Sequence, residues 1–282
     1  MNPDPKRETR LKAVRESYKV AEFRPVAAVQ APQIKVRAEQ PSLFGPRPKN
    51  RPRQAQGVVN ARKQRPVMDP IPPETIPRIF EGDTAVLFAT GPSLTPAVAA
   101  EVMAAAAGSR LRLFGCNDAY RAVPVLDVHY ACDFAWWRIH YPEVAQCQIA
   151  EGMWTQEPSM SKSQFPLLRR IAGNSSPGLS DKQNMIHFGN NSGFQLINLA
   201  YLFGIKRMIL CGYNMQVINK QKHFFGEHPQ GLNRGGGYTG FAANFETIKP
   251  AKHGIEIINA TPQTALHCFP KMDLTDALQK FC

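Results

Sequence analysis

The chain has 282 residues, 43% of them apolar, and a formal net charge of +12. That apolar share builds a real core and excludes wholesale disorder, while no apolar run approaches the roughly 18 residues of a membrane-spanning helix. The opening MNPDPKRETR is charged and has no apolar stretch behind it, so no secretory signal is expected. Cys116, Cys132, Cys147, Cys211, Cys268 and Cys282 show no CxxC spacing. Neither a disulfide framework nor a zinc ribbon is therefore expected, and the chain reads as a reduced, cytoplasmic protein.

The charge is unevenly placed. The first 66 residues hold 16 Lys/Arg against 5 Asp/Glu, and the remainder holds 18 against 17. With many prolines and almost no glycine, this quarter cannot bury enough surface to offset its ordering entropy. Residues 1–70 are expected to form a basic, mostly disordered arm, with one helical candidate over Lys6 to Phe23. Residues 71–282 are expected to form the folded domain. The arm is densest around Arg47, Lys49, Arg51 and Arg53. Such a segment gains affinity for nucleic acid by releasing counterions; a solubilising or assembly tail is the alternative. Gln40-Pro41-Ser42-Leu43-Phe44 resembles the Gln-x-Ser/Asp-Leu-Phe peptide by which bacterial replication proteins dock on the sliding clamp. In that resemblance Leu43 and Phe44 fill an apolar pocket and Gln40 makes polar contacts beside it.

From Pro70 onward strands and helices alternate. Thr84 to Thr90 is a continuous apolar run, the signature of a strand buried on both faces. Gly91-Pro92-Ser93 breaks it, and the alanine-rich stretch from Pro96 to Ala107 predicts a helix. Leu111 to Gly115 and Val128 to Cys132 predict strands, and Phe134 to Tyr141 a short helix carrying Trp136 and Trp137. Residues 145–188 are less regular, with a strand candidate over Gln148 to Glu157 and a loop over Gly173 to Gln183. A helix is predicted from Phe194 to Phe203 and a strand from Lys206 to Cys211. Gly212 to Gly240 is polar and glycine-rich, as a functional loop or lid would be. A helix over Phe241 to His253, interrupted at Pro250, a strand over Ile255 to Asn259 and a helix over Asp273 to Lys280 complete the chain. This alternation gives the fold class: α/β, with a Rossmann-like, mostly parallel sheet covered by helices.

In such sheets the ligand lies beyond the carboxyl ends of the strands. The residues placed there are Thr90, Gly91, Pro92 and Ser93, then Asn117 and Asp118, then Asp133, then Gly212 and Asn214. Asn190, Asn191, Ser192 and Gly193 open a helix beside them. Each has a plainer role as well. Gly91 and Ser93 suit a turn and a helix cap, or a seat for phosphate on free backbone N–H groups. Cap chemistry accounts for Ser192, while Asn190 and Asn191 exceed what a cap needs. Asn117 offers a carboxamide that a strand end does not require and that reads a base or ribose edge. Asp133 suits a metal such as Mg2+, a ribose hydroxyl or a helix cap. On the lid, His223 and His228 flank Gly226, a spacing unlike a helical zinc pair. A general acid or base above a nucleotide fits them, with packing histidines as the alternative and Lys220 and Lys222 nearby to meet phosphate.

Phe88-Ala-Thr-Gly-Pro-Ser-Leu94 resembles the Gly-x-Gly-Pro-Ser-Leu turn of two related groups, the bacterial family-42 sialyltransferases and the archaeal 6-hydroxymethylpterin pyrophosphokinase-like proteins. The resemblance continues through Phe114-Gly-Cys-Asn117, Asn191-Ser-Gly193 and Gly204 to Asn214. From Gly254 to Pro270 it is similar to uncharacterised phage members. The order is kept over roughly residues 83–280. Ala89 and Thr90 stand where the family tends to Gly then Asn or Lys, and Asn214 where Asp is usual. The resemblance implies a Rossmann-like transferase with a nucleotide or nucleotide-sugar donor. The Gly91 turn, Asn117 and Ser192-Gly193 would hold the nucleotide, and a lid histidine would serve in catalysis. Glycosyl, pyrophosphoryl or nucleotidyl transfer fits, with phage DNA base modification giving the arm a use. The alternatives are a non-catalytic nucleic-acid or virion-associated binding protein with a degenerate Rossmann domain, and a surface-glycan glycosyltransferase.

Overall fold

The computed structural model describes Thr9 and residues 68–229, 232, 238 and 240–281. The Lys6–Phe23 candidate (Thr9 apart), the clamp-like peptide and the basic cluster at Arg47, Lys49, Arg51 and Arg53 lie outside these residues.

Seven strands form one sheet, paired entirely in parallel. They are β1 (Thr84–Phe88), β2 (Arg112–Cys116), β4 (Val128–Tyr130), β6 (Met153–Thr155), β7 (Leu168–Arg170), β10 (Arg207–Cys211) and β11 (Glu256–Asn259), in the order β11-β10-β1-β2-β4-β6-β7. Two short pairs stand apart: β3 (Val125–Leu126) with β5 (Gln148–Ile149), and β8 (Ala172–Asn174) with β9 (Met185–His187). The chain starts at β1 in mid-sheet, runs outward through β2 to β7, and returns to the other side of β1 as β10. The order therefore switches between β1 and β10, the place where α/β sheets open a crevice.

Both faces of the sheet are buried, as the unbroken apolar strands require. One face packs Val86, Phe88, Leu113 and Ile209 under α1 (Pro96–Ala106), α2 (Phe134–Val144) and α6 (Leu274–Phe281). The other packs Ala85, Leu87, Phe114 and Leu210 under α3 (Ser192–Leu202) and Phe245 of α4 (Phe241–Glu246). α1 buries Ala99, Val102, Met103 and Ala106, the spacing of one helical stripe. α3 is buried on nearly every side, because the β8–β9 stretch covers what the sheet does not. The Asn198 carboxamide fixes that cover, accepting from Ser180 N and His187 N and donating to the Ser180 carbonyl.

Several boundaries differ from the sequence reading. Residues 145–188 hold β5 to β9, none longer than three residues, too short for a periodic signal. The expected loop over 173–183 includes the end of β8. α2 continues past Tyr141 to Val144 with Pro142 inside it, so the i→i−4 bond to the Arg138 carbonyl is not made there. The expected 241–253 helix is two, α4 and α5 (Pro250–His253). Asn117 to Arg121 form a 3-10 turn.

Candidate active site

The strand register assembles the site. Phe88 lies opposite both Gly115 and Cys211, so Thr90, Asn117 and Tyr213, two residues further on, leave the sheet side by side. Cys116 lies opposite Tyr130, which brings Ala131 to Asp133 to the same edge.

The Gly91 turn differs from a phosphate seat. Gly91 N donates to the Gly212 carbonyl at 2.9 Å, Leu94 N to the Gly91 carbonyl at 3.0 Å and Thr95 N to the Ser93 carbonyl at 2.9 Å. Ser93 N donates to Asn214 Oδ1 at 3.1 Å. Pro92 has no N–H, so the turn spends its donors on its own fold. Ser93 is not the helix cap either: α1 is capped by Thr95, whose Oγ1 accepts from Val98 N. The Ser93 hydroxyl donates to Asn214 Oδ1 at 2.8 Å, and Asn214 Nδ2 donates to the Gln263 carbonyl at 2.5 Å. A side chain at Gly91 would collide with Asn214 Oδ1 and the Gly212 carbonyl. Gly212 has φ +76, and a Cβ there would sit 2.5 Å from the Ala89 carbonyl oxygen. These residues clamp the end of β1 to the end of β10.

At the start of α3 the cap is Asn191, not Ser192: its Oδ1 accepts from Gly193 N and Phe194 N at 2.8 and 3.2 Å. The Ser192 hydroxyl lies 3.2 Å from Cys132 Sγ. Gly193 leaves room for Tyr213, whose ring would meet a Cβ there at 2.7 Å. Asp133 stands at the N-cap of α2 without a side-chain cap bond and is exposed. Among the described residues its Oδ2 accepts only a thiol contact, from Cys132 at 3.4 Å. Burial pushes the Cys132 thiol well above its ordinary range, with the Asp133 charge adding to it, so it is no thiolate nucleophile.

Asn117 sits in the left-handed region at φ 48. Its Oδ1 is buried and accepts no hydrogen bond from the described residues. Beside it lies a cluster that the sequence analysis did not assemble. Asp118, fully buried, accepts from the Trp136 indole at 2.8 Å and pairs with Arg121 at 3.5 Å. His129 and His140 each pack against Trp136, at 5.4 and 4.8 Å between ring centres. Tyr120 donates to Glu143 Oε2 at 2.6 Å, and Arg121 reaches the same oxygen at 3.4 Å. The available signals were Asp118 directly after Asn117, and Trp136 and His140 one helical turn apart.

The lid is docked over this region. Ile218 and Gln221 exchange two backbone bonds across Asn219 and Lys220, both at positive φ, as a type I′ turn requires. Phe224 N donates to the Thr90 carbonyl at 3.0 Å, and His223 Nδ1 lies 3.1 Å from Thr90 Oγ1. His223 stacks on Phe225 at 5.0 Å, and His228 meets both rings at an angle, at 4.5 and 5.0 Å, with the Arg121 guanidinium 5.9 Å from the Phe225 ring centre. Burial, then the His228 ring, push His223 down to about 4, so it is neutral at physiological pH. Lys220 and Lys222 are exposed. Among the described residues no three His, Cys, Asp or Glu side chains gather as a metal site.

A cavity of about 300 Å³ lies at the opposite, amino-terminal end of the strands. Its polar groups are already engaged: Asp83 pairs with Arg110 and Arg112, and Arg207 binds Thr84 Oγ1 and the Gly82 carbonyl. Among the described residues no helix is long and apolar enough to cross a membrane.

Fold and site define a Rossmann-like α/β protein with polar side chains gathered at the carboxyl ends of its central strands, where sheets of this order open a crevice, under a histidine-bearing loop. No protein-family model and no curated protein sequence matches the chain. Among solved structures it is similar to the sialyltransferase CstII from Campylobacter jejuni in complex with a substrate analogue, cytidine-5′-monophosphate. That likeness has 12% identity and a TM-score of 0.46, over 68% of this chain and 85% of that one. It is also similar to the Maf glycosyltransferase from Magnetospirillum magneticum, at 10% identity and a TM-score of 0.45, over 75% of this chain and 38% of that one.

Proposed function

We propose that the chain is a transferase that takes a nucleotide-activated donor, a nucleotide sugar, in the crevice beside Thr90 and Asn117. The observation that carries this reading is the Asn117 carboxamide. Its oxygen is buried and has no donor among the described residues, and the residue stands in a left-handed turn at a strand end next to the switch point. A buried acceptor without a partner costs about 1–3 kcal/mol, and a nucleoside hydroxyl or amino group entering the crevice offsets that cost.

In this reading the donor's bond between the sugar carbon and phosphate oxygen breaks, and the nucleotide leaves with the electron pair. A bond forms from an acceptor hydroxyl to that carbon, and His223 takes the hydroxyl proton. A ring that is neutral near pH 7 is in the form that accepts a proton. If its Nδ1–H donates to Thr90 Oγ1, its Nε2 is the base. Docking of the lid excludes water, which would otherwise compete as acceptor. The acceptor follows from the basic arm: a phosphate-rich polymer, with DNA base modification in a phage as the specific case.

The test is a titration of CTP, CMP, ATP and GTP against the parent and Asn117→Ala. At least one nucleotide should bind, and at least about tenfold more weakly in the variant, or 1.4 kcal/mol. Equal affinity in both defeats the assignment. A second reading is favoured by the Gly91 turn, whose N–H groups are used internally: a degenerate Rossmann domain that binds nucleic acid without catalysis. Binding of duplex DNA with no affinity for any of the four nucleotides selects it.

A further inference from the structure

We infer that His129 is a positioning residue for Asn117: its Nε2–H, donated to the Asn117 carbonyl, holds the left-handed turn that aims the carboxamide into the crevice. The inference rests on the reading of that crevice as a nucleotide site and adds a residue to it.

The contact is 2.8 Å long. A carbonyl only accepts, so Nε2 carries the hydrogen and the tautomer is fixed. The ring has no freedom to turn elsewhere. It is fully buried, stacked on Trp136 and met edge-on by Tyr120 and Trp137. Its other nitrogen, Nδ1, is buried without a partner among the described residues, as expected of the unprotonated side of a neutral imidazole. Burial, opposed by the bond to Asn117, pushes its pKa down to about 4.

Packing alone does not explain a histidine here. An aliphatic or phenyl side chain would fill the same aromatic slot without an unsatisfied nitrogen. What the imidazole adds is one donor, delivered to the carbonyl of a non-glycine residue at positive φ. Such a conformation persists where surrounding contacts over-determine it. β4 carries that donor because it lies next to β2, with Gly115 opposite His129. The end of one strand is thereby fixed by a side chain from its neighbour.

The variants His129→Gln and His129→Leu separate positioning from filling, since a glutamine amide N–H falls near the place of imidazole Nε2. Both are titrated, as full-length protein, with whichever of CTP, CMP, ATP and GTP binds the parent most tightly. His129→Gln should stay within about twofold of the parent, and His129→Leu should weaken binding by about tenfold or more while unfolding as cooperatively as the parent. Parent-like affinity in the leucine variant, or equal loss in both folded variants, overturns the inference. If the leucine variant does not fold, nitrogen-15 NMR of the parent decides: an Nε2–H tautomer at His129 upholds the assignment and an Nδ1–H tautomer overturns it. If no nucleotide binds the parent, the crevice reading fails on its own. The role of His129 is then read from the backbone couplings that report φ at Asn117. Loss of the left-handed signature in His129→Leu and its retention in His129→Gln uphold the inference, and retention in both overturns it.

Discussion

One oxygen of Asn214 receives both hydrogens of Ser93, the backbone N–H at 3.1 Å and the hydroxyl at 2.8 Å. The amide nitrogen of the same side chain donates to the Gln263 carbonyl at 2.5 Å. Asn214 is 1% exposed, so this pairing fixes which residue the position accepts. An aspartate would accept from Ser93 equally well but would turn its second oxygen onto a carbonyl, in a place water does not reach.

Asn214→Asp should therefore destabilise the fold by roughly 2–4 kcal/mol at pH 7, read from urea denaturation. A protonated carboxyl can donate to Gln263, so the folded pKa of the new group is raised. The deficit relative to the parent should shrink as pH falls toward 4. A deficit that is absent, or that does not depend on pH, removes the Gln263 carbonyl as the cause.

Gly91→Ala attacks the same clamp from the other side. The new methyl would overlap Asn214 Oδ1 and the Gly212 carbonyl, both held by backbone. The expected cost is about 2 kcal/mol or more, with Ser93 and Asn214 amide exchange accelerated before the rest of the sheet. A neutral substitution would show that β1 and β10 can part at this end without penalty.

The strands around this clamp were legible because each is a continuous apolar run, and a parallel sheet covered on both faces demands that. The same condition hid the site. Where both faces are buried, alternation disappears, so nothing in Val128-His-Tyr130 distinguishes a histidine that reaches Asn117 from one that only packs. Ser93 and Asn214 are 121 positions apart. A Gly-Pro-Ser turn reads identically whether its N–H groups await phosphate or are already bound. The candidate site residues were legible as strand ends, and their division into Ser93 and Asn214, bound to each other, and Asn117, whose oxygen has no partner among the described residues, was not. β5 and β6 were read as one strand over 148–157, and β7 to β9 were missed, because two- and three-residue strands carry no period.

Acid should weaken the fold in a defined window. His129 and His223 stand near pKa 4 when folded, against an ordinary 6.5. Between those values the unfolded chain binds more protons. Stability from this source is complete above about pH 6.5 and is lost as pH falls through 4. The His129 shift alone is worth on the order of 3 kcal/mol. Urea midpoints from pH 7.5 to 4 should fall mainly below 6.5, and more shallowly in His129→Gln. A flat profile would contradict neutral burial of both rings.

The arm's role is readable from salt dependence in the full chain. Changing Arg47, Lys49, Arg51 and Arg53 together to Gln should lower the slope of log K against log salt for duplex DNA. The expected decrease is about 0.9 for each phosphate that the variant no longer neutralises. An unchanged slope places polyanion binding elsewhere or removes it altogether.

Thr90 holds the lid by two separate means, its carbonyl on Phe224 N and its hydroxyl beside His223 Nδ1. Only the second depends on the side chain, so Thr90→Val removes it at nearly constant shape. With that anchor gone, His223 should spend more time in water, and its pKa should climb from about 4 toward 6.5. His129 lies in the aromatic slot below and has no bond to Thr90, so its titration near 4 serves as an internal control. Imidazole proton shifts followed from pH 3.5 to 8 read both rings in one experiment. A rise at His223 with His129 unmoved identifies the hydroxyl as the latch. If His223 titrates identically in parent and variant, the lid is held by the Phe224 backbone bond and the ring contacts of Phe225 and His228. If both rings shift together, the substitution has loosened the sheet end as a whole. Once a donor is known, the same variant separates docking from chemistry: an unlatched lid should raise hydrolysis of the donor relative to transfer, because water then reaches the base.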